Sequence, residues 1–539
     1  MKLVSLARLP WARSRIPAIS AALSLFLIAH AFGDIQGETA RNHDLVGTWL
    51  VHPPSAPGVA TVRTATFREA AQGVTGVWTD WTNSKSSDQP ITDVKSQGGS
   101  ISFSVNYNGE DPDKWRGEFA DADHLKMTWL ADDGTPYETR IFERVSAIEL
   151  EKVKAETPKV FTGVVPLPAL RDVPSNGLAL TPVMGWSSWN HFRKAVDDRS
   201  IRETADAIVS SGLRDAGYVY VDIDDSWEGH RDAQGVMHPN EKFPNMKALA
   251  DYIHSKGLKF GIYSSPGPLT CAGYVGSYGY ERQDAQTFAA WGVDLLKYDW
   301  CHSAAEIYTT QAQMQAVFQK MGEALQATGR PIVYSFSEYG LFDVGKWGRK
   351  VGGNLWRTGG DSVFGGRWGI VSARFDSDGD PDANGPGGWN DPDMMLIGNG
   401  GLTADESRSH MTLWVMLAAP LIIGNDVRTM APEVASILLN RDVIAIDQDP
   451  LGKQGRRVRK QDSVEIWTKP LSGGSTVVAI FNRGTEVAKV NVRWAELGLA
   501  ERERVRDLWT HSDFDELRGG YTTAIAPHGS ALLRVTALR

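Results

Sequence analysis

The sequence predicts an α/β protein in which a (β/α)8 TIM barrel lies between a small N-terminal β domain and a C-terminal antiparallel β-sandwich. Between about residues 177 and 448, apolar strand-like runs alternate with helical stretches, in the number and size typical of that barrel. On both sides of this region, short alternating strands follow one another without helices. A chain of 539 residues is also too long for a single core.

The first residues, 1–33, have the features of a secretory signal peptide. Lys2 and Arg8 belong to a positively charged start, Ile16–Phe32 is apolar, and Ala29 and Ala31 offer a cleavage site of the small-x-small type. The apolar run is short for a membrane span, and no stop-transfer pattern follows it. We therefore expect export to the periplasm or the medium and a mature protein without a membrane segment.

Residues 44–148 form the N-terminal β domain, either a barrel or a sandwich. Turn residues such as Asn108-Gly109 separate its short strands. Five of its tryptophans could bind carbohydrate, but core packing is the preferred interpretation: Trp49, Trp78, Trp81, Trp115 and Trp129. The proline-containing segment 149–176 is predicted to be a linker.

The catalytic barrel is assigned to residues 177–448 and the C-terminal sandwich to residues 453–539. An open doubly wound sheet is the alternative for the central region, but no glycine-rich phosphate loop opens a first helix. Its strand-like runs are Val183–Trp189, Tyr218–Ile223, Leu258–Tyr263, Asp294–Tyr298, Pro331–Phe336, Leu355–Thr358, Met394–Ile397 and Pro420–Ile423.

Polar and aromatic residues follow these strands at the carboxyl ends, where the active site of such a barrel lies. Several are carboxylates, and glycoside hydrolysis needs two of them: one protonates the leaving oxygen and the other attacks or directs water at the anomeric carbon. The candidates are Trp189, Asp224, Asp225, Tyr263, Lys297, Asp299, Ser337, Tyr339, Arg357, Asp361, Asp391 and Asp393.

Other chemistries find less support in the sequence. A formal net charge of −9 argues against a nucleic-acid partner. The acidic run Asp376, Asp378, Asp380 and Asp382 lacks the spacing of an EF-hand, so a solvated loop is expected there. The two cysteines, Cys271 and Cys301, could form one disulfide or stay as free thiols.

Six motifs stand out in the barrel region, namely MGWSSWN from Met184, YVYVDIDDSW from Tyr218, FPNMKALADYIHSKGLKFGIY from Phe243, TCAG from Thr270, KYDWC from Lys297 and WRTGGD from Trp356. Through these motifs the chain, from about Leu180 to its end, resembles glycoside hydrolase family 27, which contains alpha-galactosidases and alpha-N-acetylgalactosaminidases. The family joins its matching cysteines, so the resemblance implies a Cys271–Cys301 disulfide.

The resemblance also implies roles for the candidates, without cofactor or metal. Asp299 matches the nucleophile and Asp361 the general acid/base. The substrate-binding set would hold the sugar ring and its hydroxyls, and Lys297 would keep Asp299 ionised. This set comprises Trp189, Asp224, Asp225, Tyr263, Lys297, Ser337, Tyr339, Arg357 and Asp393.

The expected activity is retaining hydrolysis of terminal alpha-D-galactosyl residues from oligosaccharides or polysaccharides. Asp224 and Asp225 favour a galactose pocket, but the segment Ser337–Tyr339, where plant galactosidases carry Cys-Glu-Trp, leaves other sugars open. The alternatives are an alpha-N-acetylgalactosaminidase or a beta-L-arabinopyranosidase of the same family. An alternative of another class is a non-catalytic carbohydrate-binding protein. The sequence does not indicate the oligomeric state.

Overall fold

The computed structural model describes residues 45–538, apart from 52–60, 72, 83–84, 107–111, 131–133, 135, 158, 162, 363–366 and 378. The predicted signal peptide at 1–33 therefore lies outside the described residues. Among the helices that are described, none is long and apolar enough to cross a membrane.

The N-terminal domain is a closed antiparallel barrel, which decides between the two β architectures expected for it. Its strands pair in sequence order, and β1 closes the barrel by pairing with β8. They are β1 Gly47–Val51, β2 Val62–Ala70, β3 Gly73–Thr82, β4 Lys85–Gln97, β5 Ser100–Val105, β6 Asp113–Phe119, β7 His124–Leu130 and β8 Pro136–Arg144.

Aromatic side chains fill this small barrel. Trp49, Trp78 and Trp115 are almost completely buried and pack with apolar residues from every strand. Core packing is therefore the use of these three, as expected. Trp81 and Trp129 are only partly buried.

The segment predicted to be a linker is more ordered than its prolines suggest. Its first part, residues 149–156, belongs to helix α1 (Ala147–Glu156), which begins at a capping box formed by Ser146 and Glu149. The chain then runs along the large barrel, where the Val173 amide donates to the carbonyl of Lys350 at 2.7 Å.

The large domain is a parallel barrel with helices around it. The sheet runs in the order β17-β16-β15-β14-β13-β10-β9-β18, and a parallel bridge between Met395 and Ile423 links its two ends. The strands are β9 Met184–Ser187, β10 Tyr220–Ile223, β13 Lys259–Ser264, β14 Leu295–Asp299, β15 Val333–Ser337, β16 Leu355–Arg357, β17 Trp389–Asp391 and β18 Leu421–Ile423, with a hairpin of β11 Glu228–Arg231 and β12 Met237–Pro239 after β10.

The seventh strand lies earlier than the sequence predicts. It is β17, Trp389–Asp391, whereas the apolar run Met394–Ile397 is buried and joins the sheet only through Met395. Pro392 lacks the amide hydrogen that would extend the ladder, so the strand ends before it. Asp391 consequently closes the seventh strand and Asp393 follows it.

The helices of the large domain pack their apolar faces on the sheet. Capping boxes begin α3, α8 and α10. The helices are α2 Trp189–Phe192, α3 Asp198–Ser210, α4 Leu213–Ala216, α5 Met246–Ser255, α6 Glu281–Trp291, α7 His302–Ala305, α8 Gln311–Ala327, α9 Trp368–Ala373, α10 Ala404–Leu417, α11 Pro432–Leu438 and α12 Arg441–Asp447, and α1 (Ala147–Glu156) precedes them. The short 3-10 helices of the described chain are Arg193–Ala195, Leu341–Lys346, Gly348–Val351, Arg374–Asp376, Val427–Thr429 and, in the C-terminal domain, Trp494–Leu497.

The C-terminal domain is a β-sandwich of two antiparallel sheets. One has the order β19-β20-β21-β26-β23-β24 and the other pairs β22 with β25. Alternate residues of β21 face opposite sides: Val477 and Ala479 join the core of the large barrel, and Val478 and Ile480 join the core of the sandwich. The strands are β19 Arg456–Gln461, β20 Val464–Pro470, β21 Thr476–Asn482, β22 Ala488–Arg493, β23 Arg502–Asp507, β24 Ser512–Arg518, β25 Gly520–Ile525 and β26 Ser530–Ala537.

Candidate active site

A cavity of about 440 Å³ lies at the carboxyl ends of the large barrel's strands. Most of the predicted site residues line it: Trp189, Asp224, Asp225, Tyr263, Lys297, Asp299, Tyr339, Asp361 and Asp393. The other three candidates, Ser337, Arg357 and Asp391, line an adjoining cavity that shares Lys297 and Asp393 with the first.

Asp299 is the last residue of β14, and its side chain lies deep in the cavity with only 6% of its surface exposed. Two tyrosine hydroxyls donate to its carboxylate. Tyr263, from the neighbouring strand β13, lies 3.0 Å from Oδ2, and Tyr339, which follows β15, lies 2.9 Å from Oδ1. One bond to each oxygen fixes the plane of the carboxylate.

Burial and the nearby cation have opposite effects on the pKa of Asp299. Burial raises the pKa of Asp299 to about 6, and the Lys297 ammonium lowers it without cancelling the burial. The hydrogen bond of Lys297 goes elsewhere, because its Nζ donates to Asp224 Oδ2 at 2.7 Å. Lys297 therefore acts on Asp299 through its charge across the cavity.

The two carboxylates after β10 are both buried. Asp224 accepts from Lys297 and, at 3.2 Å, from the Ser187 hydroxyl. Asp225 accepts from the Ala272 amide at 2.7 Å, and burial raises the pKa of Asp225 to about 6. Because Ala272 follows Cys271, this bond attaches the loop after β13 to the end of β10.

Asp361 lies in the same cavity but in a different environment. Its side chain is 61% exposed, and Oδ1 accepts from Arg357 Nη2 at 3.0 Å. The other terminal nitrogen of Arg357 donates to Ser337 Oγ and lies 3.1 Å from Asp393 Oδ1. Arg357 is 2% exposed. This buried cation therefore pairs with one exposed carboxylate, that of Asp361, and one buried carboxylate, that of Asp393.

Asp393 supports the loop that carries Asp361. It accepts from the backbone amide of Ser362, the neighbour of Asp361, and its own amide donates to Asp391 at 2.8 Å. Burial would raise the pKa of Asp393, but Arg357 and Lys297 outweigh it and the pKa lies below its usual range. Asp393 is thus an ionised support beside the cavity.

Two of the predicted site residues in the cavity adopt a left-handed backbone conformation that residues other than glycine rarely occupy. The φ angle is 61° at Tyr339 and 87° at Asp393. Such conformations persist where the surrounding structure requires them, and they concentrate at functional sites. Here they aim the Tyr339 hydroxyl at Asp299 and the Asp393 carboxylate at the Ser362 amide.

The predicted disulfide joins the loops after β13 and β14. Cys271 and Cys301 are bonded, and Cys301 Sγ lies 3.1 Å from the Tyr263 hydroxyl. Among the described residues, these two sulfurs and Asp299 form the one cluster with the spacing of metal ligands. Because both sulfurs belong to the disulfide, the cluster offers a metal only a single carboxylate.

Two groups near the cavity are not among the predicted site residues. Asp222, Glu228 and Glu338 are buried carboxyls behind the site, and burial raises the pKa of Glu338 to about 8. The second group lines the cavity itself: Trp129, Thr139 and Arg140 from the small barrel, and Phe192, Arg193, Lys194 and Ala195 after α2 begins. No sequence signal indicates that the small barrel reaches this cavity.

The comparisons with known proteins agree with this geometry. Residues 181–449 match the family model described as alpha galactosidase A, and residues 461–535 match the alpha galactosidase C-terminal beta sandwich domain. An alpha-galactosidase of Oryza sativa subsp. japonica is 44% identical over 368 residues, which are 67% of this chain and 86% of the relative.

Solved structures extend the similarity. Alpha-galactosidase I from Mortierella vinacea aligns with a TM-score of 0.64 and 35% identity, over 67% of this chain and 98% of its own. A candidate alpha-galactosidase/melibiase from Bacteroides fragilis aligns with a TM-score of 0.62 and 31% identity, over 92% of this chain and 99% of its own. The second similarity therefore extends into the N-terminal part of this chain.

Proposed function

The chain belongs to glycoside hydrolase family 27, the alpha-galactosidase family, and from this membership we propose that it is a retaining alpha-galactosidase that releases terminal alpha-D-galactose. The observation that carries the proposal is the pair of carboxylates in one cavity. Asp299 is buried and fixed by two tyrosine hydroxyls, whereas Asp361 is exposed and held by Arg357.

In the first step Asp299 attacks the anomeric carbon of the galactosyl unit. A bond forms between a carboxylate oxygen and that carbon while the bond to the leaving oxygen breaks, and Asp361 donates its proton to the leaving oxygen. The buried position of Asp299 suits attack from the floor of the cavity. The exposed position of Asp361 suits the opposite task, because the leaving group must depart toward solvent.

In the second step water replaces the leaving group. Asp361, now a carboxylate, takes a proton from the water as its oxygen attacks the anomeric carbon, and the bond to Asp299 breaks. Two inversions give net retention. The cations Lys297 and Arg357 lie beside these carboxylates and balance their negative charge.

The galactose hydroxyls are bound by Asp224 and Asp225 at the end of β10. Both carboxylates are 2% exposed, and Asp225 Oδ1 has no hydrogen-bond partner among the described residues, so a sugar hydroxyl can donate to it. Trp189 and Tyr263 flank the ring. Ser337, whose hydroxyl accepts from Arg357 at 3.2 Å, belongs to the segment that we expect to read the sugar 2-position.

The test compares the hydrolysis of 4-nitrophenyl alpha-galactoside with that of the alpha-N-acetylgalactosaminide and the beta-L-arabinopyranoside. We expect a clear preference in kcat/KM for the galactoside. Preference for either other sugar would keep the mechanism and overturn the specificity. Binding of galactosides without turnover would overturn the enzymatic proposal and favour a carbohydrate-binding protein.

The proposal includes export from the cytoplasm. The support is the Cys271–Cys301 disulfide, because structural disulfides persist in oxidising compartments, together with the signal-like sequence of residues 1–33. Amino-terminal sequencing of the protein recovered from the periplasm or medium would test it. A mature chain that still begins at Met1 would contradict it.

A further inference from the structure

The cavity that holds Asp299 is not built by the large barrel alone. Trp129 on β7 and Thr139 and Arg140 on β8 belong to the small N-terminal barrel, and they line the same cavity as Asp299 and Asp361. The mechanism proposed above uses none of these three residues. Their presence at the site requires its own explanation.

Trp129 and Arg140 occupy one end of the small barrel. Along β7, Leu125 and Met127 face the barrel core, and Trp129 continues the same row by the two-residue period of a strand. On β8, Arg140 shares the inward face with the buried Phe142 in the same way. The end of the small barrel therefore opens toward the cavity.

Stacked aromatic rings hold Trp129 in place. Phe103 stacks on Trp115 with centroids 6.3 Å apart, and Trp115 stacks on Trp129 at 6.2 Å with an angle of 17° between the rings. The Arg140 guanidinium lies 5.9 Å from the centre of the Trp115 ring. A flat ring that is already fixed loses little entropy when a ligand stacks on it.

The depth of the two carboxylates shows where the leaving group must lie. Asp299 is 6% exposed at the floor and the side chain of Asp361 is 61% exposed. Since Asp361 protonates the leaving oxygen, the substrate runs from Asp299 outward past Asp361. The cavity residues without a role in galactose binding, which include Trp129, Thr139 and Arg140, are available to that outer part.

We propose that the small barrel forms the leaving-group subsite of the enzyme and that this subsite takes a sugar. Trp129 stacks on the apolar C–H face of the pyranose next to galactose, and Arg140 donates hydrogen bonds to its hydroxyl oxygens. This inference rests on the proposed function, because the subsite is defined by the galactosyl site beside it.

The comparisons give independent support for such a division. The rice alpha-galactosidase matches 67% of this chain, and the family model begins at residue 181, after the small barrel. Release of galactose by the large barrel therefore does not require the small barrel. An added domain at the same cavity can instead select which group attached to galactose the enzyme accepts.

The test uses two substrates of the full-length enzyme. Raffinose carries a sugar next to galactose, whereas alpha-galactosyl fluoride carries only a fluoride ion as leaving group. We expect Trp129→Ala to lower kcat/KM for raffinose about tenfold or more and to leave kcat/KM for the fluoride unchanged. Trp129→Phe, which keeps a flat ring, should retain most of the raffinose activity.

Two further variants separate the subsite from folding effects. Trp81→Ala removes another half-buried tryptophan of the small barrel, one that does not line the cavity. It should leave kcat/KM unchanged for both substrates. Thr139→Trp adds bulk at an exposed cavity position without disturbing the core. It should lower kcat/KM for raffinose and leave kcat/KM for the fluoride unchanged.

The outcomes distinguish the two proposals. Unchanged raffinose activity in both Trp129→Ala and Thr139→Trp, or an equal loss on both substrates with an unaltered melting temperature, would overturn the subsite. Failure of the unmodified enzyme on the fluoride would instead overturn the proposed galactosidase activity.

Discussion

At the scale of single residues, the site depends on how Asp299 is kept reactive inside the protein. Burial raises its pKa to about 6 from a reference value of 3.8, while Lys297 and the Tyr339 hydroxyl favour the ionised form. Because the pKa of Asp299 is higher in the folded than in the unfolded state, ionisation of Asp299 destabilises the fold. Its contribution to the free energy of unfolding therefore falls as pH rises through about 6. A reactive carboxylate is thus maintained at a cost in stability.

The pH dependence of activity should report this pKa. Because the proposed mechanism needs ionised Asp299, kcat/KM for an aryl alpha-galactoside should fall as pH drops below about 6. In Lys297→Met the lost cation no longer favours ionisation, so the midpoint of this acid limb should move to higher pH. The matched control is Lys346→Met, an exposed lysine paired with Asp343, which should leave the midpoint in place. An unchanged midpoint in Lys297→Met would show that another group limits the rate.

The two carboxylates can be assigned by chemical rescue. Asp299→Ala and Asp361→Ala should each lower kcat by several orders of magnitude without changing the circular dichroism spectrum. Azide should restore turnover in both, because it can occupy the space of either missing carboxylate. The product should be beta-galactosyl azide with Asp299→Ala and alpha-galactosyl azide with Asp361→Ala, as read by NMR. Exchanged anomers would reverse the assignment, and near-normal turnover without azide would refute it.

At the scale of elements, the ends of neighbouring parallel strands account for what the sequence could predict. Asp224 and Asp299 follow strands that are recognisable by their apolar runs, so their meeting at one edge follows from the barrel itself. Hydrogen-bond partners do not follow in this way. Lys297 bonds to Asp224 rather than to Asp299 because side-chain direction depends on the folded surroundings.

The folded surroundings also decide where the seventh strand lies and which way the Trp300 side chain points. The run Met394–Ile397 is as apolar as a strand, but burial alone does not distinguish strand from irregular core. Trp300, next to Asp299, turns into the core and stacks on Phe318 with centroids 6.0 Å apart.

The disulfide should stabilise the two loops that frame Asp299. It closes a separation of 30 residues, which corresponds to about 3–4 kcal/mol by chain entropy. Replacing Cys271 and Cys301 together by serine should therefore lower the melting temperature clearly, and dithiothreitol should lower that of the unmodified protein alone. Equal melting temperatures with and without the bond would contradict this expectation. The double variant controls for effects of the reductant elsewhere in the chain.

At the scale of the whole molecule, charges complete the contact between the large barrel and the sandwich. Asp376, expected in a solvated loop, forms ion pairs with Arg457 and Arg483, and hydrogen bonding to Arg457 lowers the pKa of Asp376 to about 2. The fully buried Glu465 pairs with the same two arginines. The sequence shows the acidic run, but its partners lie about 80 to 110 positions away, where no local pattern identifies them.

The closed small barrel also has a consequence for how the chain acquires its structure. Each of its strands pairs with the next one along the chain, and only the β1–β8 pairing spans the whole domain. The large barrel must instead join Met184 on β9 to Leu421 on β18, near its two ends. Contacts close in sequence form faster, and domains generally fold from the amino terminus during synthesis. We therefore expect the small barrel to be complete while the large barrel that carries Asp299 is still open, so that one wall of the cavity forms before its floor.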